Sequence, residues 1–151
     1  MIKLIEKSVD ELIPYENNPR RNEEAIKYVL QSIKDFGYKI PIIIDKNNVV
    51  ITGHTRLEAL KKLKVKVIPC IVADDLTEEQ AKAFRIADNK VGEVAVWNLE
   101  TLKEEIKNIT IDLEQYGQIK LNDINFDDLL KDSIKQKKTI ICPHCGNKIA
   151  L

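Results

Sequence analysis

Apolar side chains recur every three or four residues between Glu23 and Phe36, which is the spacing of one helix face. Gly37 follows this pattern directly, and glycine is the residue that most often ends a helix in a left-handed conformation. The spacing therefore predicts a helix over 23–36. The preceding segment, 12–22, contains two prolines and three asparagines and is predicted to be a loop.

Four short runs rich in isoleucine and valine predict strands over 2–5, 40–44, 49–52 and 65–72. The polar residues from Asp45 to Asn48 separate the second and third runs and suit a hairpin turn. Helical spacing resumes from Leu57 to Leu63, between the third and fourth runs. These elements predict a small mixed sheet with helices packed on it.

Two further helices are predicted from their N-caps. Thr77 and Gln80 have the spacing of a capping box, which predicts a helix to about residue 89. Asn98 is placed to cap a helix over 99–107, and weaker patterns predict a short helix over 126–134 and a polar linker over 135–138. The predicted fold class is α/β (α+β) with a helical C-terminal part, divided into regions 1–98, 99–134 and 135–151.

Composition narrows the classes of protein that this chain can belong to. With 151 residues, 44% of them apolar, the chain can form one ordinary domain with an appendage. The formal net charge is +0, so binding to nucleic acid would depend on a local basic patch. Three cysteines do not suggest a disulfide framework, and neither a secretion signal nor a membrane span is evident, which predicts a cytoplasmic protein.

Candidate chemistry is concentrated where the third strand gives way to the next helix. Gly53 allows a tight turn and close approach of another group, and the amides of His54, Thr55 and Arg56 belong to the first turn of that helix. Such amides, together with the helix dipole and an arginine, form an anion site that suits phosphate. The alternative is an ordinary turn in which Thr55 serves only as a cap.

Four segments occur in a recognisable order: Asn18-Pro19-Arg20, Phe36 to Ile42, Gly53 to Ala59, and Arg85 to Lys90. In this order they resemble the ParB N-terminal domain of the ParB/sulfiredoxin superfamily, and most closely the short ParB-like proteins of phages and mobile elements. The resemblance covers about residues 12–98. It implies the ParB/sulfiredoxin-like fold and a site that binds CTP, or another nucleoside triphosphate such as ATP, with Mg²⁺.

The resemblance also implies roles for individual residues. It places Arg20, Gly53, His54, Thr55, Arg56 and Asn89 at the phosphates, with Asp88 and Asn89 as Mg²⁺ ligands and Asp88 as the catalytic candidate. Magnesium ordinarily takes a carboxylate together with substrate phosphates, which agrees with this set. Two departures from the family pattern predict slow or absent hydrolysis: Thr55 stands in place of one arginine of a pair, and Asp88 is one methylene shorter than the usual glutamate.

Other activities in the superfamily fit the sequence less well. A sulfiredoxin would need a cysteine where His54 stands. The serine-kinase relatives carry a carboxylate close to the proline and arginine of the first segment; this chain has Asn18 beside the proline and Glu16 two residues earlier, so a small-molecule kinase is disfavoured but stays an alternative. A nuclease would need a cluster of carboxylates and histidines to hold two metal ions, and no such cluster is evident. His54 either reaches the ligand or only flanks the turn. Trp97 is expected in the core rather than against a ligand.

The C-terminal residues Cys142-Pro143-His144-Cys145-Gly146 form the C-x-x-C-G pattern of zinc knuckles. A closed zinc site needs four ligands, and Cys142 and Cys145 supply two, since Cys70 falls in a predicted core strand. Three interpretations stay open: a Zn²⁺ shared by two chains of a homodimer, a knuckle without metal, or a redox pair.

Two classes of function follow. One is a nucleotide-binding module, with weak or no NTPase activity, that acts in DNA transactions of a phage or mobile element. The other is a non-enzymatic DNA-binding or adaptor protein that works beside a DNA methyltransferase. The residues after Asn98 lack a clear two-helix recognition pattern, so sequence-specific reading of DNA is not predicted.

Overall fold

A computed structural model describes residues 3–20, 23–117, 139–141 and 148–150. Within these ranges it contains the four predicted strands and the first four predicted helices, with some ends shifted. The strands are β1 (Lys3–Ser8), β2 (Ile42–Ile44), β3 (Val50–Thr52), β4 (Val67–Val72), β5 (Thr139–Ile141) and β6 (Lys148–Ala150). The α-helices are α1 (Glu23–Phe36), α2 (His54–Lys62), α3 (Glu78–Val94) and α4 (Leu99–Ile106). Short 3-10 helices span Val9–Glu11 and Leu113–Tyr116.

The first compact unit of the chain contains residues 1–96 and 115–117, and it holds a four-stranded mixed sheet in the order β1-β4-β2-β3. β1 pairs antiparallel with β4, with Lys3 opposite Val72. β2 pairs antiparallel with β3 through the predicted hairpin, and it pairs parallel with β4 on its other side. The crossover between these parallel strands contains α2, so the N-terminus of α2 lies directly after β3.

The core of this unit is formed by apolar side chains from the sheet, α2 and the first 3-10 helix. Its fully buried members include Ile42, Ile44, Val50, Leu57, Leu60 and Cys70. Burying a side chain of this size contributes roughly 1.5–3 kcal/mol each. Cys70 therefore acts as a small core residue, as its strand position predicted. These packed side chains lie beneath the β3–α2 turn and support it.

Two helices differ in length from the sequence prediction. α2 begins at His54, three residues earlier than the apolar pattern indicated, because its first turn is polar and carries no periodic signal. α3 continues to Val94, past residue 89, although its last turns expose apolar side chains such as Val91. A Lys90–Glu93 ion pair of 2.9 Å lies along this extension. Exposed apolar residues give no amphipathic pattern, so the sequence predicted an α3 that ends about five residues too early.

The second unit contains α4 and the antiparallel pair β5–β6, in which Thr139 lies opposite Ala150. Asn98 caps α4 as predicted, because its Oδ1 accepts a hydrogen bond from the Thr101 amide at 3.1 Å. Trp97, by contrast, is 72% exposed and is not a core residue. The predicted helix at 126–134, the linker at 135–138 and the cysteine knuckle lie outside the described residues. No helix of the described ranges is long and apolar enough to cross a membrane.

Candidate functional site

The β3–α2 turn depends on the backbone conformation of Gly53. Gly53 has φ 105° and ψ 22°, a left-handed conformation that glycine adopts without steric cost. A Cβ atom at this position would come within 3.0 Å of Cγ1 of Ile42 in the core. The first bond of the helix runs from the Leu57 amide to the Gly53 carbonyl at 2.9 Å. The three amides before Leu57 therefore belong to the open first turn of α2, with no capping side chain at Gly53.

A cleft of about 290 Å³ lies above this turn, between the loop 13–20 and α3. It is lined by all seven residues that the sequence assigned to phosphate or magnesium: Arg20, Gly53, His54, Thr55, Arg56, Asp88 and Asn89. Three separate segments of the chain contribute them. The structure therefore brings the predicted site residues together, and their individual roles stay predictions.

Arg56 lines the cleft but is also bound to the main chain. Its Nη1 donates to the carbonyl oxygens of Ile40 at 2.7 Å and Pro41 at 2.8 Å. Burial lowers the pKa of Arg56, while Tyr38 and Asp88 act in the opposite direction. Arg56 thus supports the segment before β2 in addition to any contact with a phosphate.

Asp88 and Asn89 face the turn from α3. Thr52 donates its hydroxyl to Oδ2 of Asp88 at 2.8 Å, which fixes that carboxylate above the end of β3. Nη1 of Arg20 donates to Oδ1 of Asn89, and Nδ2 of Asn89 donates to the Arg85 carbonyl at 2.7 Å. The exposed loop arginine and the α3 amide are therefore hydrogen-bonded across the cleft.

The imidazole of His54 is held by a hydrogen bond to the loop 13–20. The Tyr15 amide donates to Nε2 of His54 at 3.2 Å, and the imidazole is partly buried. Burial lowers the pKa of His54, and the nearby positive charge of Arg85 lowers it further, whereas Glu58 raises it. Both leading causes favour the neutral imidazole, whose unprotonated nitrogen is the acceptor that Tyr15 needs.

Arg85 is a residue whose importance the sequence did not reveal. It is only 6% exposed, and its guanidinium carbon lies 3.6 Å from the centroid of the Tyr15 ring. Nη2 donates to the Val50 carbonyl at 3.4 Å, and Nε is buried without a hydrogen-bond partner among the described residues. Burial lowers the pKa of Arg85. Its spacing from Asn89, one helical turn, was the available signal that it faces the same side of α3.

The residues predicted to bind Mg²⁺ and those predicted to bind Zn²⁺ lie in different parts of the chain. Across the part of the chain that the structure describes, no group of three or more His, Cys, Asp or Glu side chains could hold a metal ion. The oxygens of Asp88 and Asn89 nevertheless suit Mg²⁺, which commonly takes one or two protein oxygens and completes its shell with phosphates and water. Cys142 and Cys145, predicted for Zn²⁺, lie outside the described residues.

The mixed α/β domain places an open helix N-terminus, two arginines and a carboxylate around one cleft, an arrangement that can bind an anion. Comparison with known proteins makes the assignment specific. The sequence profile of the ParB N-terminal domain matches residues 3–90, and the chain belongs to this family. The resemblance seen in the sequence is therefore confirmed at the level of the family and its superfamily.

Similar proteins include short and long members. The ParB-like nuclease domain-containing protein YnaK of Escherichia coli K12 is 38% identical over 80 residues, which cover 52% of this chain and 92% of YnaK. The probable chromosome-partitioning protein ParB of Campylobacter jejuni is 35% identical over 86 residues, covering 54% of this chain but 31% of that protein. The shared region is thus nearly all of YnaK and under a third of the Campylobacter protein.

Solved structures share the fold at low sequence identity. The C-terminally truncated chromosome-partitioning protein ParB of Caulobacter crescentus, complexed with CTP-gamma-S, matches with a TM-score of 0.59 and 20% identity over 76% of this chain and 70% of that one. The pNOB8-like ParB N-domain matches with a TM-score of 0.51 and 18% identity over 99% of this chain and 54% of that one. Both likenesses establish the fold.

Proposed function

We propose that this chain binds a nucleoside triphosphate with Mg²⁺ in the cleft above Gly53, with CTP preferred over ATP, and acts in DNA transactions of a phage or mobile element. The observation that carries the proposal is that all seven predicted residues line one cleft at the open N-terminus of α2. The CTP-gamma-S bound by the Caulobacter protein, which has the same fold, supports the choice of ligand.

The phosphates would lie over the first turn of α2. The amides of His54, Thr55 and Arg56 precede the first helical hydrogen bond and can donate to phosphate oxygens there. Arg20 is exposed and sits on a loop, so it can turn from Asn89 to a phosphate at little cost. That movement would leave Oδ1 of Asn89 available to Mg²⁺ beside Asp88.

Hydrolysis in this site would be slow or absent. Thr55 stands where the family has a second arginine, so less positive charge faces the developing negative charge of phosphoryl transfer. Asp88 is short, and one of its oxygens already accepts the hydroxyl of Thr52. These features favour a module that responds to nucleotide binding over one that turns nucleotide over rapidly.

Calorimetric titration with CTP, ATP and GTP, with and without Mg²⁺ and DNA, tests the proposal. Arg20→Ala should weaken CTP binding tenfold to a hundredfold, because a charge-assisted hydrogen bond contributes about 1.5–3 kcal/mol. Arg20 is the better probe than Arg56, whose loss would also remove two hydrogen bonds to the main chain. Lys62→Ala, which removes an exposed charge from the far end of α2, is the matched control and should leave affinity unchanged.

Absence of binding at millimolar nucleotide would overturn the proposal. The second candidate function, a non-enzymatic adaptor beside a DNA methyltransferase, would then be preferred. It requires only the family fold and is compatible with the net charge of +0. The name of YnaK raises a nuclease as well. Two-metal nuclease chemistry finds little support, because the described residues contain no suitable ligand cluster.

A further inference from the structure

The side chain of His54 is held by a backbone group 39 positions earlier in the chain. The Tyr15 N–H donates to Nε2 of His54 at 3.2 Å. An imidazole nitrogen accepts a hydrogen bond only when it carries no proton, so the neutral ring has its proton on Nδ1. Protonation of His54 would set two N–H donors against each other and break this contact.

The same hydrogen bond begins a connected path to Arg20. The Asn18 amide donates to the Tyr15 carbonyl at 3.2 Å, and Oδ1 of Asn18 accepts from the Arg20 amide at 3.2 Å. The Arg20 side chain then crosses the cleft to Asn89. His54 therefore holds the loop at Tyr15, two residues after Ile13 is fixed by backbone hydrogen bonds to Asn48 and Val50, and the far end of the loop places the exposed arginine.

The charges around His54 favour its neutral form. Arg85 on α3 packs against the Tyr15 ring and disfavours a second positive charge beside it. Glu58, one turn along α2, favours protonation but is the smallest of the three influences on the pKa of His54, after burial and Arg85. The charged side chains that line the cleft together with His54 are Arg20, Arg56 and Asp88.

We infer that His54 is a positioning residue: its neutral imidazole holds the segment 15–20 over the β3–α2 turn so that Arg20 faces the phosphates, and protonation of His54 loosens this segment and weakens nucleotide binding. This role rests on the proposed function of the cleft. It assigns to His54 an indirect part in binding, with its distal nitrogen committed to the loop instead of to a phosphate.

The first test compares CTP affinity across pH 5.5 to 8 in wild type and two substitutions. In wild type, the apparent Kd should rise as the pH falls through the pKa of His54 and level off at the tenfold-to-hundredfold loss expected for Arg20→Ala, since the protonated fraction binds without a positioned Arg20. In His54→Gln, Oε1 can occupy the position of Nε2 and accept from Tyr15 without titrating, so affinity should stay near the wild-type value at pH 8 and fall less at pH 5.5. His54→Asn is too short to reach and should bind weakly throughout.

The ligand phosphates also titrate in this range, but they do so equally for every variant. The informative quantity is therefore the ratio of wild-type to His54→Gln Kd at each pH. His144→Gln removes the other histidine of the chain and is the matched control, which should follow wild type. A ratio that stays constant with pH overturns the role of His54 alone. Absence of CTP binding at every pH overturns the proposed function and this role together.

The second test needs no nucleotide. NMR titration of His144→Gln reports the ring protons of His54 as the remaining imidazole and the amide proton of Tyr15 beside it. We expect both signals to move with one midpoint, below the ordinary histidine value of about 6.5. If the chemical shift of the Tyr15 amide proton does not change as His54 titrates, the proposal is overturned, whatever the calorimetry shows.

Discussion

Substitution of Gly53 by alanine probes the turn on which the candidate site depends. Gly53 has φ 105°, where an L-residue is strained by about 1–3 kcal/mol. Its new Cβ would also lie 3.0 Å from Cγ1 of the fully buried Ile42, an overpacked contact that costs about 1–3 kcal/mol. The reduced entropy of the unfolded chain returns about 0.4–1 kcal/mol. We expect a net loss of about 1–6 kcal/mol in the free energy of unfolding.

Two other glycines separate these contributions. Gly37 has φ 78° and ends α1, but a Cβ there would meet only the Lys39 side chain, at 3.7 Å, so Gly37→Ala should show the backbone strain alone, about 1–2 kcal/mol. Gly92 lies in α3, and a methyl group added there would have nothing within 4 Å, so Gly92→Ala should stabilise the protein by about 0.5–1 kcal/mol.

Urea denaturation followed by circular dichroism gives the three free energies of unfolding under one set of conditions. The expected order of stability is Gly92→Ala, wild type, Gly37→Ala and Gly53→Ala. If Gly53→Ala and Gly37→Ala lose equal stability, the contact with Ile42 is not a real constraint. If Gly53→Ala is as stable as wild type, Gly53 does not have the left-handed conformation described above, and the geometry of the candidate site is wrong as well.

Three further predictions concern separate parts of the chain. Tyr38→Phe should lower the free energy of unfolding, measured by urea denaturation, by about 1–3 kcal/mol, because the Ile42 amide loses the hydroxyl acceptor that it contacts at 2.6 Å. Burial raises the pKa of Tyr38 to about 12, so wild type should lose stability from about pH 10 upward, and Tyr38→Phe should not share that loss. Phosphate-release assays should give CTP turnover below about one per second, and a faster rate would contradict the reasoning about Thr55 and Asp88. Elemental analysis should find about half an equivalent of zinc per chain if two chains share the knuckle, with Cys145→Ser releasing the metal and weakening dimerisation; a full equivalent would contradict the shared site.

Local signals in the sequence were sufficient for most of the fold. The capping box at α3 is present in both directions, with hydrogen bonds of 3.2 Å from Gln80 N to Thr77 Oγ1 and 2.9 Å from Thr77 N to Gln80 Oε1. The helix over 23–36 was also correct, because its apolar spacing is regular. Such features involve residues within one helical turn of each other, so one sequence contains all that is needed to read them.

The candidate site was predictable in its membership but not in its connections. The four ordered segments named the residues that line the cleft. They gave no sign that Arg56 would bind the carbonyls of Ile40 and Pro41, or that Tyr15 would contact both His54 and Arg85. These partners are 15 to 70 positions apart, and only the folded sheet and α3 bring them together. A single sequence carries no record of such tertiary pairs.

The pairing of β1 with β4 has a consequence for synthesis of the protein. Ser8 at the end of β1 lies opposite Val67, and the last partner that β1 needs is Val72. At translation rates of 5–20 residues per second, roughly 3–13 s pass between the synthesis of these two strands. During that interval the backbone N–H and C=O groups of β1 have no partner strand and are exposed to other chains. Slower decoding of the β2–α2 region would lengthen this exposure, so yield in the cell should depend on the speed of the ribosome as well as on the stability of the folded domain.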